Sequence, residues 1–195
     1  PDPDCDYSPT TNGTDPKCTT IISDFDNGDE GWTIVGDAQG GSVDPTYNIA
    51  GGNPTTGGYI SAKDDVQGGT WYFRAAVKFH GNFAYAYGNT ISFDLITSST
   101  RSQYDNHDIV IYDTAGNSIW YNTNENPGTS WTSYSINISE EAGWFRGDYE
   151  DNIPATEADI RGVLSNVNDI WISGEFRIGS DTGGLDNVVL VSNCP

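Results

Sequence analysis

The sequence lacks methionine and is poor in basic residues. Its 195 residues hold 8 Lys and Arg against 28 Asp and Glu, which gives a formal net charge of −20 at pH 7. This excess of acid argues against a nucleic-acid partner, because nucleic acids require a basic surface. It also disfavours anionic membranes and heavily sulfated glycans. No apolar run approaches the length of a membrane span, so we expect no membrane partner.

Cysteine and histidine are also scarce, with 3 and 2 residues. Cys5, Cys18 and Cys194 lie near the two termini and lack the spacing of a zinc site. A disulfide is the better interpretation, and it predicts an oxidising, extracellular setting. From the absence of methionine and the Pro-Asp start we expect a mature or excised piece, with no signal peptide to read.

Glycine, tyrosine, tryptophan and β-branched residues are abundant, which favours an all-β fold. Short strands alternate with Gly-rich turns, and the clearest strand places Ile91, Phe93 and Leu95 on one face. This pattern predicts a sandwich of antiparallel sheets over residues 19–195. Residues 1–18 are rich in Pro, Asp, Thr and Gly, which predicts a linker or N-terminal extension.

One short helix is predicted near residues 154–164. Thr156 is the expected N-cap, and Asp159 three residues later is a near match to a capping box. Apolar residues follow at helical spacing, at Ile160, Val163 and Leu164.

Two acidic stretches lie far apart in the sequence. Asp24–Trp32 reads D-F-D-N-G-D-E-G-W, and Gly184–Leu190 reads G-L-D-N-V-V-L. Calcium takes about six to eight oxygens from carboxylates, backbone carbonyls and waters. If the two ends of the chain meet, these stretches predict a calcium site that closes the sandwich.

Strand arithmetic supports such a meeting. Facing residues of an antiparallel pair have a constant sum, because one strand counts up as the other counts down. Asp26 with Asp186 and Cys18 with Cys194 have the same sum, so one register brings both pairs together. This favours a Cys18–Cys194 bridge, with Cys5–Cys18 as the alternative.

Several ordered stretches resemble the laminin B domain, also called laminin IV. They include Asp24–Trp32, Y-I-S-A-K-D-D-V-Q-G-G-T-W-Y-F-R-A at Tyr59–Ala75, P-G-T-S-W-T-S-Y at Pro127–Tyr134, and G-E-F-R-I-G-S-D-T-G-G-L-D-N-V-V-L at Gly174–Leu190. The motifs K-F-H-G-N and A-Y-G-N-T-I-S-F-D-L lie within Lys78–Leu95, and the resemblance covers about residues 23–191. It implies a jelly-roll β-sandwich of two antiparallel sheets, similar to calcium-containing carbohydrate-binding modules.

The resemblance also implies a ligand set for a structural calcium ion. The family pattern falls on Asp26 and Asp186 as metal ligands, with Asp24, Asp29 and Asp65 as expected helpers. The chain departs from the animal domains because it lacks flanking cysteine-dense modules of the epidermal-growth-factor kind. Its N-terminal extension looks instead like an interdomain linker of a secreted microbial enzyme, which favours polysaccharide binding.

No catalytic constellation is visible. His80 lies beside a Gly turn and His107 in a polar loop, and neither has a Ser or Cys partner in a recognisable motif. Carboxylate pairs for glycoside hydrolysis have no recognisable context either. We therefore expect the chain itself to be non-catalytic and appended to an enzyme.

Aromatic residues on the non-core side of a strand are the candidate sugar platforms. Trp171 is the best of them, because alternation places Glu175 and Arg177 on its face and Ile170, Ile172, Phe176 and Ile178 on the core face. Tyr112 and one of Trp120 and Tyr121 come next, since alternation lets only one of that pair point outward. Tyr104 lies in a polar loop with Arg101, Gln103, Asp105 and His107 that is a candidate rim. Most other aromatics are expected in the core, at Trp32, Trp71, Phe73, Phe93, Trp131 and Trp144.

The sequence thus predicts a secreted, calcium-stabilised, non-catalytic module that binds a neutral polysaccharide. We expect it to be a monomer within a multidomain enzyme or surface protein. The alternative is a structural, adhesive or protein-binding spacer, as in laminins.

Overall fold

A computed structural model describes Lys17 and residues 19–54, 57–65 and 68–193 of the chain. Cys5, Cys18 and Cys194 lie outside these residues, so the disulfide stays a prediction. The predicted extension, residues 1–18, also lies outside them apart from Lys17. The Lys17 N–H donates to the Asn82 carbonyl (2.8 Å).

The described residues form two antiparallel sheets, which confirms the predicted sandwich. In chain order the strands are β1 (Ile21–Ser23), β2 (Thr33–Val35), β3 (Thr46–Asn48), β4 (Tyr59–Lys63), β5 (Tyr72–Arg74), β6 (Thr90–Thr97), β7 (Ile109–Asp113), β8 (Ser118–Tyr121), β9 (Thr132–Asn137), β10 (Phe145–Arg146), β11 (Ile153–Pro154), β12 (Val167–Ser173) and β13 (Thr182–Leu190). One sheet has the order β3-β4-β13-β6-β9, with β1 also on β13, and the other β11-β10-β8-β7-β12-β5-β2.

Alternation along the strands builds one core between the two sheets. Ile91, Phe93 and Leu95 of β6 are all buried, as predicted. The opposite sheet contributes Phe73 and Ile172 to the same cluster. Successive side chains of a strand point to opposite faces, so the residues between these positions lie on the outer faces.

The first and last strands pair with each other, as the sequence predicts, but in a different register. Ile21 lies opposite Leu190, whereas the predicted register would place Ile22 there. The predicted register extrapolates from Asp26, which follows β1 in a turn rather than in the strand. Phe25 has a left-handed φ of 52°, which breaks the strand before Asp26 is reached.

A single α-helix is present among the described residues, α1 (Glu157–Leu164). The Asp159 N–H donates to Thr156 Oγ1 (3.2 Å) and the Thr156 N–H to Asp159 Oδ2 (2.9 Å), so the predicted capping box is confirmed. Ile160, Val163 and Leu164 are buried, as predicted. Short 3-10 turns occur at Gln39–Gly41, Val77–Phe79, Ala84–Ala86, Glu140–Ala142 and Tyr149–Asp151. None of the helices in the described ranges is long and apolar enough to cross a membrane.

The helix offers a stability prediction at Gly162, where an added Cβ would meet nothing within 4 Å. Gly162→Ala should raise the free energy of unfolding by about 0.5–1 kcal/mol, because glycine is entropically costly inside a helix. Urea unfolding measures the change. Gly143 is the control, since its surroundings are equally open but its φ is +97°. Alanine there should destabilise, and equal effects at both sites would contradict this explanation.

Two aromatic or apolar positions differ from the sequence prediction. Ile178 is 71% exposed rather than in the core, because β12 ends at Ser173 and the alternation does not continue beyond it. Trp131 is half-buried instead of being a core residue. Its indole Nε1–H donates to the Gly51 carbonyl (2.9 Å), and its ring packs edge-on against Tyr59.

Candidate functional site

Three regions hold the predicted site residues, and the first lies where the end strands meet. We call it the end-strand site and define it by Asp26, Asp94 and Asp186 with the loop at Gly51–Asn53 and Gly57–Gly58. The Asn53 N–H donates to Asp186 Oδ2 (2.7 Å), and the Gly58 N–H donates to Asp26 Oδ1 (3.3 Å). Both predicted calcium ligands therefore contact one loop.

Glycine is required in that loop for steric reasons. A Cβ on Gly52 would lie 2.4 Å from Asp186 Oδ2, and one on Gly57 would lie 2.6 Å from Asp26 Oδ1. At Gly52 the Cβ would also lie 2.4 Å from the Gly58 carbonyl oxygen, so glycine is required there, whereas at Gly57 only the end of the Asp26 side chain would have to move. The loop thus lies directly against the two side chains.

The end-strand site brings three carboxylates together, and two of them, Asp94 and Asp186, are buried. Asp186 is 2% exposed and lies opposite Asp94 in the β6–β13 ladder. Burial, with the charges of Asp94 and Asp26, raises the pKa of Asp186 to about 6, although hydrogen bonds from two backbone N–H groups oppose the shift. Oxygen donors and uncompensated buried charge fit a hard cation such as Ca²⁺. No three Asp, Glu, His or Cys side chains of the described ranges surround one point, so carbonyls and waters would have to complete its shell.

The three expected helpers do not converge on this site. Asp24 accepts the Asp26 N–H (3.1 Å), and Asp29 accepts the Gly31 N–H (2.9 Å), so both bond within their own turn. Asp65 accepts the Gly40 N–H (2.7 Å) and lines a different cleft.

The second region is the outer face of the seven-stranded sheet. Phe73, Ile111 and Ile119 belong to the core cluster, whereas the adjacent residues Tyr72 and Trp120 are buried but outside it. Alternation therefore places Tyr72 and Trp120 on the face that points away from the core.

Rings from five neighbouring strands cover this surface, which we call the aromatic face. Trp171 lies 4.8 Å from Tyr112 and 5.6 Å from Tyr72, measured between ring centroids. Trp120 stacks on Phe145 at 4.4 Å with an interplanar angle of 13°. His107 lies between the two groups, 5.4 Å from Tyr72 and 6.3 Å from Trp120. The aromatic face is defined by Tyr72, His107, Tyr112, Trp120, Phe145 and Trp171.

Contacts with the core show which of Trp120 and Tyr121 lies on the aromatic face. Tyr121 packs against the core cluster, with its ring 5.5 Å from Trp144. Trp120 is the residue on the aromatic face, but it is only 3% exposed because Phe145 lies over it. Trp171 is partly exposed, and its buried Nε1–H has no hydrogen-bond partner among the described residues.

An ion pair borders the rings. Arg74 lies beside Trp171 in the β5–β12 ladder, and its Nε donates to Asp169 Oδ2 (2.6 Å). Asp169 is opposite Tyr112, and its Oδ1 is buried without a hydrogen-bond partner in the described part of the chain. Sequence reasoning missed Arg74, Asp169, Tyr72 and Phe145. The period-2 pattern pointed to Asp169 and Tyr72, but cross-strand register was needed to bring them to Trp171.

The third region is an acidic cleft of about 790 Å³ beside the end of β12. Asp37, Asp64, Asp65, Thr70, Tyr104 and Glu175 line it, with Gly68, Gly69 and Ile178–Ser180. Glu175 thus lines a cleft that Trp171 does not reach, because β12 ends two residues before it. Burial raises the pKa of Glu175 to about 7 together with the charges of Asp64, Asp37 and Asp181, although a hydrogen bond from the Tyr104 side chain opposes the shift.

Arg177 was predicted on the face of Trp171, but it lies beyond the end of β12 at Ser173, where the alternation no longer applies. Arg177 and the predicted rim residues Arg101 and Gln103 have structural contacts. Arg177 donates from Nε to the Arg101 carbonyl (2.9 Å) and from Nη1 to the Gly179 carbonyl (2.8 Å). Gln103 Nε2 donates to the Pro127 carbonyl (2.8 Å). Asp105 is exposed. Asn106 Nδ2 donates to Thr70 Oγ1 (3.5 Å) and to Tyr72 Oη (3.4 Å), so Asn106 links the lining of the cleft to the aromatic face.

Asp108 beside the aromatic face predicts a pH effect on stability. Burial raises its pKa to about 6, although two hydrogen bonds from Thr123 oppose the shift. The folded protein therefore holds a proton that the unfolded chain has lost, and this contribution is present below about pH 4 and lost as pH rises through 6. Asp108→Asn should stabilise the protein at pH 8 by about 1 kcal/mol, less than the full shift because asparagine weakens the bonds from Thr123.

Urea unfolding with EDTA across pH 4–8 tests that prediction. Asp108→Asn should flatten the fall in stability above pH 6. The exposed neighbour Asp105→Asn should change the profile far less, because the charge of Asp105 is the smallest of the causes that raise the pKa of Asp108. An Asp108→Asn profile parallel to that of the wild type would refute the assignment.

Comparisons with known proteins point to one fold. The family model described as Laminin B (Domain IV) matches residues 72–194. The L4b domain of human laminin alpha-2 is similar at 16% identity and TM-score 0.57, over 68% of this chain and 78% of that one. The family 11 carbohydrate-binding module of Clostridium thermocellum, in complex with a β-1,3-1,4-mixed-linked tetrasaccharide, is similar at 18% identity and TM-score 0.56, over 90% and 97%.

An exo-β-agarase structure is similar at 14% identity and TM-score 0.59, over 91% of this chain but 25% of that one. No curated protein sequence matches the chain. At these identities the structural likeness shows the fold alone, and the predicted jelly-roll is confirmed.

Proposed function

The chain belongs to the laminin B (domain IV) family, and we propose that it is a non-catalytic carbohydrate-binding module that takes a neutral polysaccharide on its aromatic face. The observation that carries the proposal is the row of rings across β10, β8, β7, β12 and β5. Adjacent strands lie about 4.8 Å apart, so this row extends over about 19 Å. That length suits several sugar units rather than one.

The chemistry of the face matches what a sugar presents. Aromatic rings pack against the apolar C–H faces of pyranose rings, and a few fixed polar groups orient the ligand. Trp171 Nε1 and Asp169 Oδ1 are buried, so the exposed part of the Trp171 ring is the surface that a sugar would contact.

The net charge of the protein favours neutral over anionic polysaccharides as ligands. The net charge of −20 repels polyanionic chains such as galacturonan or sulfated galactans. The first neutral candidate is a mixed-linked β-1,3-1,4-glucan, because the related family 11 module was solved with such a tetrasaccharide. Xylan, galactomannan and agarose are the other members of a sensible panel.

Calcium has a structural role in this proposal. Asp26 and Asp186 would hold the ion with carbonyl oxygens and waters, and the ion would join the loop after β1 to β13. Bound calcium supplies positive charge where buried carboxylates repel one another, and it takes no part in sugar recognition.

We also infer that the module is secreted and belongs to a larger polysaccharide-active or surface protein. The match to a laminin domain and to a cellulosomal carbohydrate-binding module supports an extracellular setting. The exo-β-agarase match, which covers 25% of that enzyme, supports a place beside a catalytic domain.

Affinity electrophoresis tests the central proposal. The wild-type protein should be retarded in gels that contain at least one neutral polysaccharide of the panel, relative to a polysaccharide-free gel. The polyanionic glycans should cause no retardation. Equal mobility in every gel would contradict carbohydrate binding.

The second candidate is a structural or adhesive spacer, as in laminins. It is favoured by the family match and by the low exposure of Trp120, which Phe145 covers. It predicts no retardation by any glycan.

A further inference from the structure

The acidic cleft is lined by several carboxylates and by few basic residues. Asp37, Asp64, Asp65 and Glu175 line it, and the charge of Asp181 acts on Glu175. Arg177 forms no ion pair in the described part of the chain, but its charge opposes the rise of the pKa of Asp64 and Asp181 and so offsets part of this negative charge. Lys63 Nζ lies 3.9 Å from Asp65 Oδ2.

Several oxygens of this cluster are buried without a donor. Glu175 is 8% exposed and Asp181 is 6% exposed. Glu175 Oε2, Asp181 Oδ1 and Asp37 Oδ1 have no hydrogen-bond partner among the described residues. The second oxygen of Asp181 accepts from Thr97 Oγ1 (2.7 Å), so the carboxylate is held in place rather than free to turn. A buried acceptor without a partner is costly, by about 1–3 kcal/mol or more if it is charged.

We propose that the acidic cleft binds a divalent hard cation such as Ca²⁺, with Glu175 as a ligand and Asp37, Asp64 and Asp181 as neighbouring negative charges. This site is separate from the end-strand site and from the aromatic face. The described residues that line the cleft offer oxygen donors and no imidazole or thiol, which favours Ca²⁺ or a similar ion over zinc or copper.

A small ion fits the cleft better than an organic cation does. The unpartnered Glu175 oxygen is enclosed, so a bulky ammonium group cannot reach it without rearrangement. No three acidic, imidazole or thiol side chains of the described ranges already surround one point, so carbonyl oxygens and waters must share the coordination. Calcium tolerates such mixed shells of about six to eight oxygens. The cleft volume of about 790 Å³ leaves room for those waters.

Isothermal titration calorimetry with CaCl₂ on protein stripped by EDTA tests the proposal. Glu175→Gln should remove one equivalent of bound Ca²⁺ or weaken its binding at least tenfold. Asp186→Asn is the matched control, because it alters the end-strand site and should leave this equivalent in place. If the end-strand site binds no calcium, the wild type should bind a single equivalent that Glu175→Gln still removes.

Two results would overturn the proposal. One is Ca²⁺ binding by Glu175→Gln with the stoichiometry and affinity of the wild type. The other is that Asp186→Asn abolishes all the Ca²⁺ binding that the wild type shows. Circular dichroism verifies that each variant is folded. If Glu175→Gln does not fold, Asp37→Asn replaces it, since Asp37 is half-buried on the lining of the same cleft. Asp37→Asn must then weaken Ca²⁺ binding at least fivefold, and unchanged binding would overturn the proposal.

Discussion

Trp171→Ala should weaken binding of the retaining polysaccharide by about 30-fold or more, which corresponds to ~2 kcal/mol. Trp171 lies on the aromatic face between Tyr72 and Tyr112. Its ring is partly exposed, so a sugar can reach it without displacing another side chain. Truncation removes the stacking surface.

Trp131→Ala is the matched control for that variant. Trp131 is also half-buried and also an indole, but it lies against Tyr59 beside the six-stranded sheet. It should bind the polysaccharide within twofold of the wild type. A larger loss at Trp131 than at Trp171 would move the binding surface to the other sheet.

Removal of calcium should lower the melting temperature by about 5–10 °C. An ion present at 100 times its dissociation constant stabilises by ~2.7 kcal/mol, and for a chain of this size ~1 kcal/mol moves the melting temperature by roughly 2–4 °C. The effect should be large because Asp26 and Asp186 lie at opposite ends of the sequence. An ion between them joins the loop after β1 to β13, and β1 pairs with β13 through only three residues.

Asp186→Asn should reduce the calcium response by at least half, measured as the change in melting temperature on adding EDTA. Asp29→Asn is the control from the same acidic loop. Its Oδ1 accepts the Gly31 N–H in a local turn, so its loss should leave the calcium response intact. An unchanged response in Asp186→Asn, or an equal loss in Asp29→Asn, would disprove the ligand assignment.

Local patterns predicted those parts of the fold that depend on neighbours in sequence. Alternation identified Ile91, Phe93 and Leu95, and the Thr156–Asp159 spacing identified the capping box of α1. The prediction was wrong where a strand ends earlier than its pattern suggests. Ile178 is exposed because β12 stops at Ser173, and the β1–β13 register is displaced because Phe25 turns before Asp26.

In the candidate site, too, the sequence predicted residues with a local signal and missed those that only the strand register brings together. Trp171 was predicted because a tryptophan on the outer side of a buried strand is visible in the sequence alone. Arg74 and Asp169 were not, because only the β5–β12 register places Arg74 beside Trp171. The acidic cleft brings Asp37 near Glu175 across most of the chain, and no local pattern signals such a contact.

Titration of ¹⁵N-labelled protein with an oligosaccharide of the retaining polysaccharide tests the account most directly. The six tryptophans provide six indole N–H signals that report on both faces and the core. We predict that the signals of Trp171 and Trp120 shift, while those of the core residues Trp32, Trp71 and Trp144 stay. No shift at Trp171, or shifts confined to Trp131, would contradict carbohydrate binding on the aromatic face.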